Sequence, residues 1–200
     1  NRSYEDGAYG NLFGVDALFK FSDVWKFELE YFMNSNKEPI ADWIDTEDSL
    51  TDRSIALNGE RFNGKSIYVQ LYRNTQNWKS YFTYKDISPD FQADLGFVVK
   101  NNRRWATIAH AYQIFPNKPA IQFFSIGSKA DVLYTYQDYL KTISIDGIVS
   151  LKTLFNTEIN YSYDWDVFKN FLGRDYKNLA SNRFDIQNNI CCAEIENINN

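Results

Sequence analysis

The segment WKFELEYFMN, residues 25–34, sorts its side chains by twos. Trp25, Phe27, Leu29, Tyr31 and Met33 fall on one side, and Lys26, Glu28, Glu30, Phe32 and Asn34 on the other. Side chains alternate across a strand and follow a 3.6-residue period on a helix, so this text specifies a strand with one apolar and one charged face. The same alternation marks 12–21, 65–73, 78–85, 142–155 and 157–165, giving six strands. Two further apolar segments, 105–115 and 120–133, read as strands whose inward face the pattern leaves unassigned.

The connections alternate in length along most of the chain: 22–24 is short, 35–64 long, 74–77 short, 86–104 long, 116–119 short, and 134–141 intermediate. Short turns at one end and long loops at the other describe antiparallel hairpins of a membrane barrel, although a soluble up-and-down sheet can share the pattern. In the six clear strands the charged residues sort to one face. On the apolar sides, counted from Ile67 in the segment 65–73, Arg73 alone is charged, beside a short turn where a long basic side chain can snorkel. The opposite side holds Asp16, Lys20, Lys26, Glu28, Glu30, Lys79, Lys85, Asp146, Lys152, Glu158 and Asp164.

Such sorting fits two architectures, a sandwich whose apolar faces meet inside and a barrel whose apolar face meets lipid. Two features favour lipid. Trp25, Trp78 and Trp165 are expected at strand ends on the apolar face, where indoles anchor at a headgroup boundary. The apolar faces also run about five residues unbroken, matching the hydrocarbon band crossed by tilted strands of roughly 9–11 residues. The expected fold is therefore an all-β, antiparallel up-and-down transmembrane β-barrel fragment of about eight strands. It forms a single unit over residues 1–187, with 188–200 a polar tail.

Aromatic residues make up 18% of the chain, which suits pleated surfaces. The net charge of -5 and scattered basic residues offer no stripe for a phosphate backbone, so nucleic acid is not an expected partner. No apolar run is long enough for a transmembrane helix. The sequence begins Asn1-Arg2 without Met or signal peptide and reads as an excerpt of a longer protein. Cys191 and Cys192 are neighbours with one histidine in the whole chain, and no metal or other cofactor is expected.

The segment YKDISPDFQADLGFV, residues 84–98, is the most distinctive text. Ser88 suits an N-cap, Pro89 the first helical position, Asp90 the positive end of the dipole, and Gly96 a left-handed stop, which predicts a two-turn helix over 88–96. Phe91 and Leu95, four apart, share its apolar face, with Phe97 just beyond. The result is a lid-like element stapled onto a rim. Asp86, Asp90 and Asp94 share a spacing of four that could hold a divalent cation, but capping and solvation are the preferred explanation. The acidic run 42–52 lacks the Gly-centred spacing of a calcium loop and reads as solvated.

This signature, Ser88, Pro89, Asp90, Phe91, Asp94, Leu95, Gly96 and Phe97, resembles that of the domain of unknown function 5916 family. The resemblance extends loosely from about residue 11 to 185 and includes the hairpin leading into the motif, 66–85. Val99 and Lys100 stand where family members usually carry Pro and then Arg. The resemblance implies a barrel-like region of a bacterial outer-membrane protein, following a module similar to family-9 carbohydrate-binding domains. Outer-membrane lipid, and glycans through that missing module, are the partners it implies.

No catalytic arrangement emerges. His110, the one histidine, sits in an alternating segment without a nucleophile elbow anywhere in the chain, and is expected to pack in a core or lumen. The match to a phosphate loop at 59–66 fails on its hairpin context. Carboxylates are numerous enough for acid-base work on a glycan, but on alternate positions of separate strands they read as a lumen lining. The lumen-facing candidates are Lys26, Glu28, Glu30, Lys79, Lys85, Asp146, Lys152 and Glu158. Tyr68, Tyr72 and Tyr81 could stack on sugar rings, but filling space is the preferred reading. The leading expectation is a non-enzymatic outer-membrane barrel linked to glycan recognition or uptake. The alternatives are a soluble carbohydrate-binding sandwich and, third, a glycan-active enzyme.

Overall fold

Two-residue alternation becomes extended strand wherever it is legible. The computed structural model describes residues 2–3, 7–40, 49–50, 53–54, 57–92, 100–118, 120–137, 139–153, 157–171 and 173–188. The strands are β1 (Arg2–Ser3), β2 (Tyr9–Lys20), β3 (Trp25–Lys37), β4 (Ser49–Leu50), β5 (Arg53–Ser54), β6 (Arg61–Asn74), β7 (Trp78–Ile87), β8 (Arg103–Ile114), β9 (Ile121–Tyr134), β10 (Leu140–Thr153), β11 (Thr157–Phe171) and β12 (Arg174–Asn188). One antiparallel sheet runs β1-β2-β3-β6-β7-β8-β9-β10-β11-β12, and β4-β5 is a separate small hairpin within the connection from β3 to β6. Every pairing in the large sheet joins strands adjacent in its own order along the chain, so the topology is up-and-down throughout.

All eight expected strands are present, and β12 is a ninth long one that the sequence reading missed. Its residues alternate poorly: Asn182 interrupts the apolar side, and Asn178 takes a left-handed backbone at φ 56°. The connections are short between β2 and β3, β6 and β7, β8 and β9, and β10 and β11. At the opposite end they are long after β3 and β7 and short after β9 and β11, so the long-loop end is long over only half the sheet. β11 continues to Phe171, which puts Trp165 mid-strand and corrects its expected place at a strand end. Trp25 and Trp78 do open their strands, and the Arg73 guanidinium lies 5.7 Å over the Trp25 ring.

Register carries the sorted faces across the whole sheet without interruption. One row runs Phe19, Phe27, Leu71, Phe82, Ile108, Ala130, Ile145, Trp165 and Ala180. A row of the opposite face runs Lys20, Lys26, Tyr72, Tyr81, Ala109, Lys129, Asp146, Asp164 and Ser181. The second row abuts the β2–β3 turn, yet six further pairs, from Gly147–Tyr163 to Lys152–Glu158, follow it before the β10–β11 turn. Such progressive stagger means that the strands lean relative to the sheet's long direction. Bulges at Lys141 and Val167 increase the local twist.

Burial is inverted relative to a water-soluble fold. Among the described residues the buried hydrophobic side chains are Ala8, Phe62 and Phe91, while Asn34, Asn36, Asp86, Ser88, Thr107, Asp131 and Ser150 are buried. Many large apolar residues are exposed, with Phe13 at 61%, Ile108 at 60% and Phe184 at 64%, and others, such as Phe27 and Leu29, are half-buried. Elements touch only their hydrogen-bonded neighbours, and no second layer covers the apolar face among the described residues.

Candidate functional site

Small residues open a hollow in the polar face. Ala109, Ala111 and Gly127 lie side by side on β8 and β9, where a Cβ on Gly127 would come within 3.1 Å of Ala111. Tyr72, Lys79, Tyr81, Lys129, Asp146, Ile148, Ser162 and Asp164 rise around this floor and enclose about 470 Å³. That volume lies within the roughly 300–1,000 Å³ typical of small-molecule sites. Six consecutive strands, β6 to β11, contribute to this one cavity, so the sheet curves toward its polar face.

A polar network runs from the cavity toward the long-loop end. The Lys129 ammonium bridges Asp131 at 2.7 Å and Asp146 at 3.0 Å. Asp131 also accepts from the Trp105 indole N–H at 2.9 Å and from the Thr107 hydroxyl. The Lys85 ammonium sits 5.1 Å from the Tyr68 ring and 5.8 Å from that of Trp105, and Gln70 donates to Thr83 at 3.2 Å. These contacts hold the side chains in fixed geometry without net charge: in the cavity wall Lys79 and Lys129 balance Asp146 and Asp164. Charged neighbours of both signs and paired tyrosines suit an uncharged, hydroxyl-rich solute better than an ion of either sign.

Register puts all eight lumen-facing candidates, Lys26, Glu28, Glu30, Lys79, Lys85, Asp146, Lys152 and Glu158, on this same face. Lys79 and Asp146 line the cavity; the others lie elsewhere on the face. Sequence reading missed Lys129, Asp131, Trp105 and Thr107, whose strands have small or apolar residues on both faces. Pairing of β8 with the well-sorted β7 supplies the missing phase. His110 stands on the apolar face, exposed, with Nδ1 2.6 Å from Ser80 Oγ and its ring 4.7 Å from Trp78. This corrects its expected place in a core or lumen.

The signature segment folds over the polar face at its rim. Ser88 N donates to Lys65 O at 2.9 Å and the Lys65 N–H donates to Ser88 Oγ at 2.8 Å, prolonging the β6–β7 ladder. Pro89 and Asp90 form a turn, and the buried Asn34 amide donates to Asp90 O at 3.2 Å and accepts from Gln92 N at 3.3 Å. Phe91 is buried, its backbone so near Gly64 that a Cβ there would lie 2.3 Å away. Within residues 88–92, Pro89 and Asp90 are a turn and no helical residue is seen; Asp94, Leu95, Gly96 and Phe97, with the rest of the predicted helix, lie outside the described residues. Asp86 points to the opposite face, where it accepts from the hydroxyls of Tyr84 and Tyr136. Burial and the Asp86 carboxylate push the Tyr136 hydroxyl above the ordinary tyrosine range. No cluster of metal-ligating side chains occurs among the described residues.

No family model, curated protein or solved structure matches the chain.

Proposed function

We propose that the chain is part of the wall of a bacterial outer-membrane β-barrel, with its apolar face toward lipid and its polar, concave face lining the lumen. The observation that carries this reading is the inverted burial: a continuous apolar face spans nine long strands, and no second layer of described residues covers it. Exposed rows of Phe, Ile, Leu and Val are costly in water and stable against acyl chains, whereas Asp131 on the inner side is satisfied by Lys129, Trp105 and Thr107. The strand stagger supports the same reading, because closing a sheet requires tilted strands. The resemblance of 84–98 to the domain of unknown function 5916 family belongs to this proposal, with 88–92 as an inward-folded rim element.

The cavity between Tyr72, Tyr81 and Lys129 takes neutral sugars on this reading, which links the lumen to glycan recognition or uptake. Its carboxylates serve as lining rather than as an acid-base pair. Membrane fractionation followed by gel migration with and without boiling tests the proposal. Outer-membrane recovery with a heat-dependent shift is expected. A soluble protein without a shift would overturn it in favour of a carbohydrate-binding sandwich whose apolar face meets a second layer.

A further inference from the structure

On the apolar face the charge beyond the belt is uneven. Along β3 and β6 the belt ends at Phe13, Met33 and Lys65; an uncharged row of Asn11, Ser35 and Asn63 follows, and then Tyr9, Lys37 and Arg61. Lys37 and Arg61 are directly opposite each other, where like charges repel. Arg61 and Lys65 are exposed, and none of the three basic groups makes a salt bridge among the described residues. Elsewhere on this face acid accompanies base beyond the belt: Asp86 faces Arg104, and Asp175 lies two residues from Lys177. Glu38, next to Lys37, lines a rim cavity that Lys37 and Tyr9 share with Asn36 and Phe62 of the other face, and no salt bridge joins it to Lys37. The Lys20–Lys26 pair, also like-charged, stands on the polar face, where water and counterions reach it.

Strand rise sets the height of these groups. Lys65 is level with the last apolar row, and Arg61 is four residues farther on, about 13 Å along the strand and somewhat less along a membrane normal. The three cations therefore span the headgroup layer, about 5–8 Å deep, on the long-loop side. At the short-turn end the same face of the strands carries only Arg73, held over Trp25.

We infer that Lys37, Arg61 and Lys65 form a binding site for the phosphorylated headgroup of a membrane lipid whose acyl chains lie on the apolar belt beside Phe13 and Met33. The inference rests on the membrane reading above. A phosphate group relieves the repulsion between Lys37 and Arg61 and accepts a two-pronged hydrogen bond from the guanidinium, while continuity with the belt selects a lipid over a free anion.

The test uses the full protein in detergent micelles, with bisphosphorylated lipid A and its dephosphorylated counterpart as probes and native mass spectrometry as readout. Bisphosphorylated lipid is expected to bind at least tenfold more tightly. The triple change Lys37→Gln, Arg61→Gln and Lys65→Gln is expected to lose on the order of a hundredfold with the heat-dependent gel shift retained. Lys65→Gln alone, which keeps the fold secure, is expected to lose about fivefold. Equal affinity for the two lipids, or unchanged binding by the heat-shifting variants, would overturn the site. Inorganic phosphate competing as well as the lipid would overturn the lipid as its ligand. A wild-type protein without a heat shift would instead remove the membrane reading on which the site rests.

Discussion

Leu29 stands on the apolar face between Ala17 and Val69, and one residue away Glu28 stands on the polar face between Leu18 and Gln70. The same substitution at both positions separates the environments. Leu29→Arg is expected to destabilise the folded state in vesicles by about 2–4 kcal/mol, and Glu28→Arg to be tolerated, as read from urea titrations followed by gel shift. Equal effects would mean that the faces are assigned wrongly. Tyr136 gives a pH signature outside the long strands. Its hydroxyl is held protonated by burial and by Asp86, so its contribution is complete below the ordinary tyrosine range and is lost only as pH rises above that range. A spectrophotometric titration is expected to show late-ionising tyrosine absorbance that moves down in Asp86→Asn; no such movement would remove the tie. These facings were legible in the sequence wherever charge sorted cleanly, as at Glu28 and Glu30. They were not at His110, where a lone polar residue in an apolar run carries no phase of its own.

The strands differ in how plainly their text announced them. β3, with five apolar residues against four polar ones and Phe32, needs no neighbour to fix its faces, whereas β8 and β9 place Ala, Thr and Ser on both sides and take their phase from β7. β12 escaped notice because Asn182 and Lys177 interrupt its apolar side. The cavity was equally illegible, since its floor is made by what Ala109, Ala111 and Gly127 lack. Ala109→Trp is expected to fill that floor and lower single-channel conductance in planar bilayers, and an unchanged conductance would place the cavity off the conducting path. The cap residues at Ser88 and Pro89 forecast a helix over 88–96, of which 93–96 lie outside the described residues; the Ser88 hydroxyl accepts from the Lys65 N–H. Gly64→Val puts side-chain carbon where the Phe91 backbone now lies, so the segment 88–92 is expected to lift. Faster hydrogen exchange at Gln92 with an intact sheet is the expected readout; unchanged protection would deny the close approach its role.

A sheet without a second layer among the described residues has no dry interior to fold around, and its apolar face needs an external partner. β1 covers only Tyr9 and Gly10 of β2, and the outer edge of β12 is unpaired among the described residues. Hydrocarbon tolerates apolar faces but no open backbone edge, and water tolerates neither for long. Dilution from urea into buffer is accordingly expected to give β-rich aggregates by light scattering, and dilution into phospholipid vesicles to give a heat-shifting monomeric species. A clear monomeric solution in buffer alone would contradict the membrane reading. The strictly sequential pairing has a kinetic and evolutionary corollary. Each strand needs only the one just laid down, so assembly can proceed as a zipper with small loop-closure penalties at most steps. A wall of this kind can gain or lose a hairpin at its margin while every existing rung of the ladder stays in register, so its circumference is free to drift over generations without any relearning of the fold.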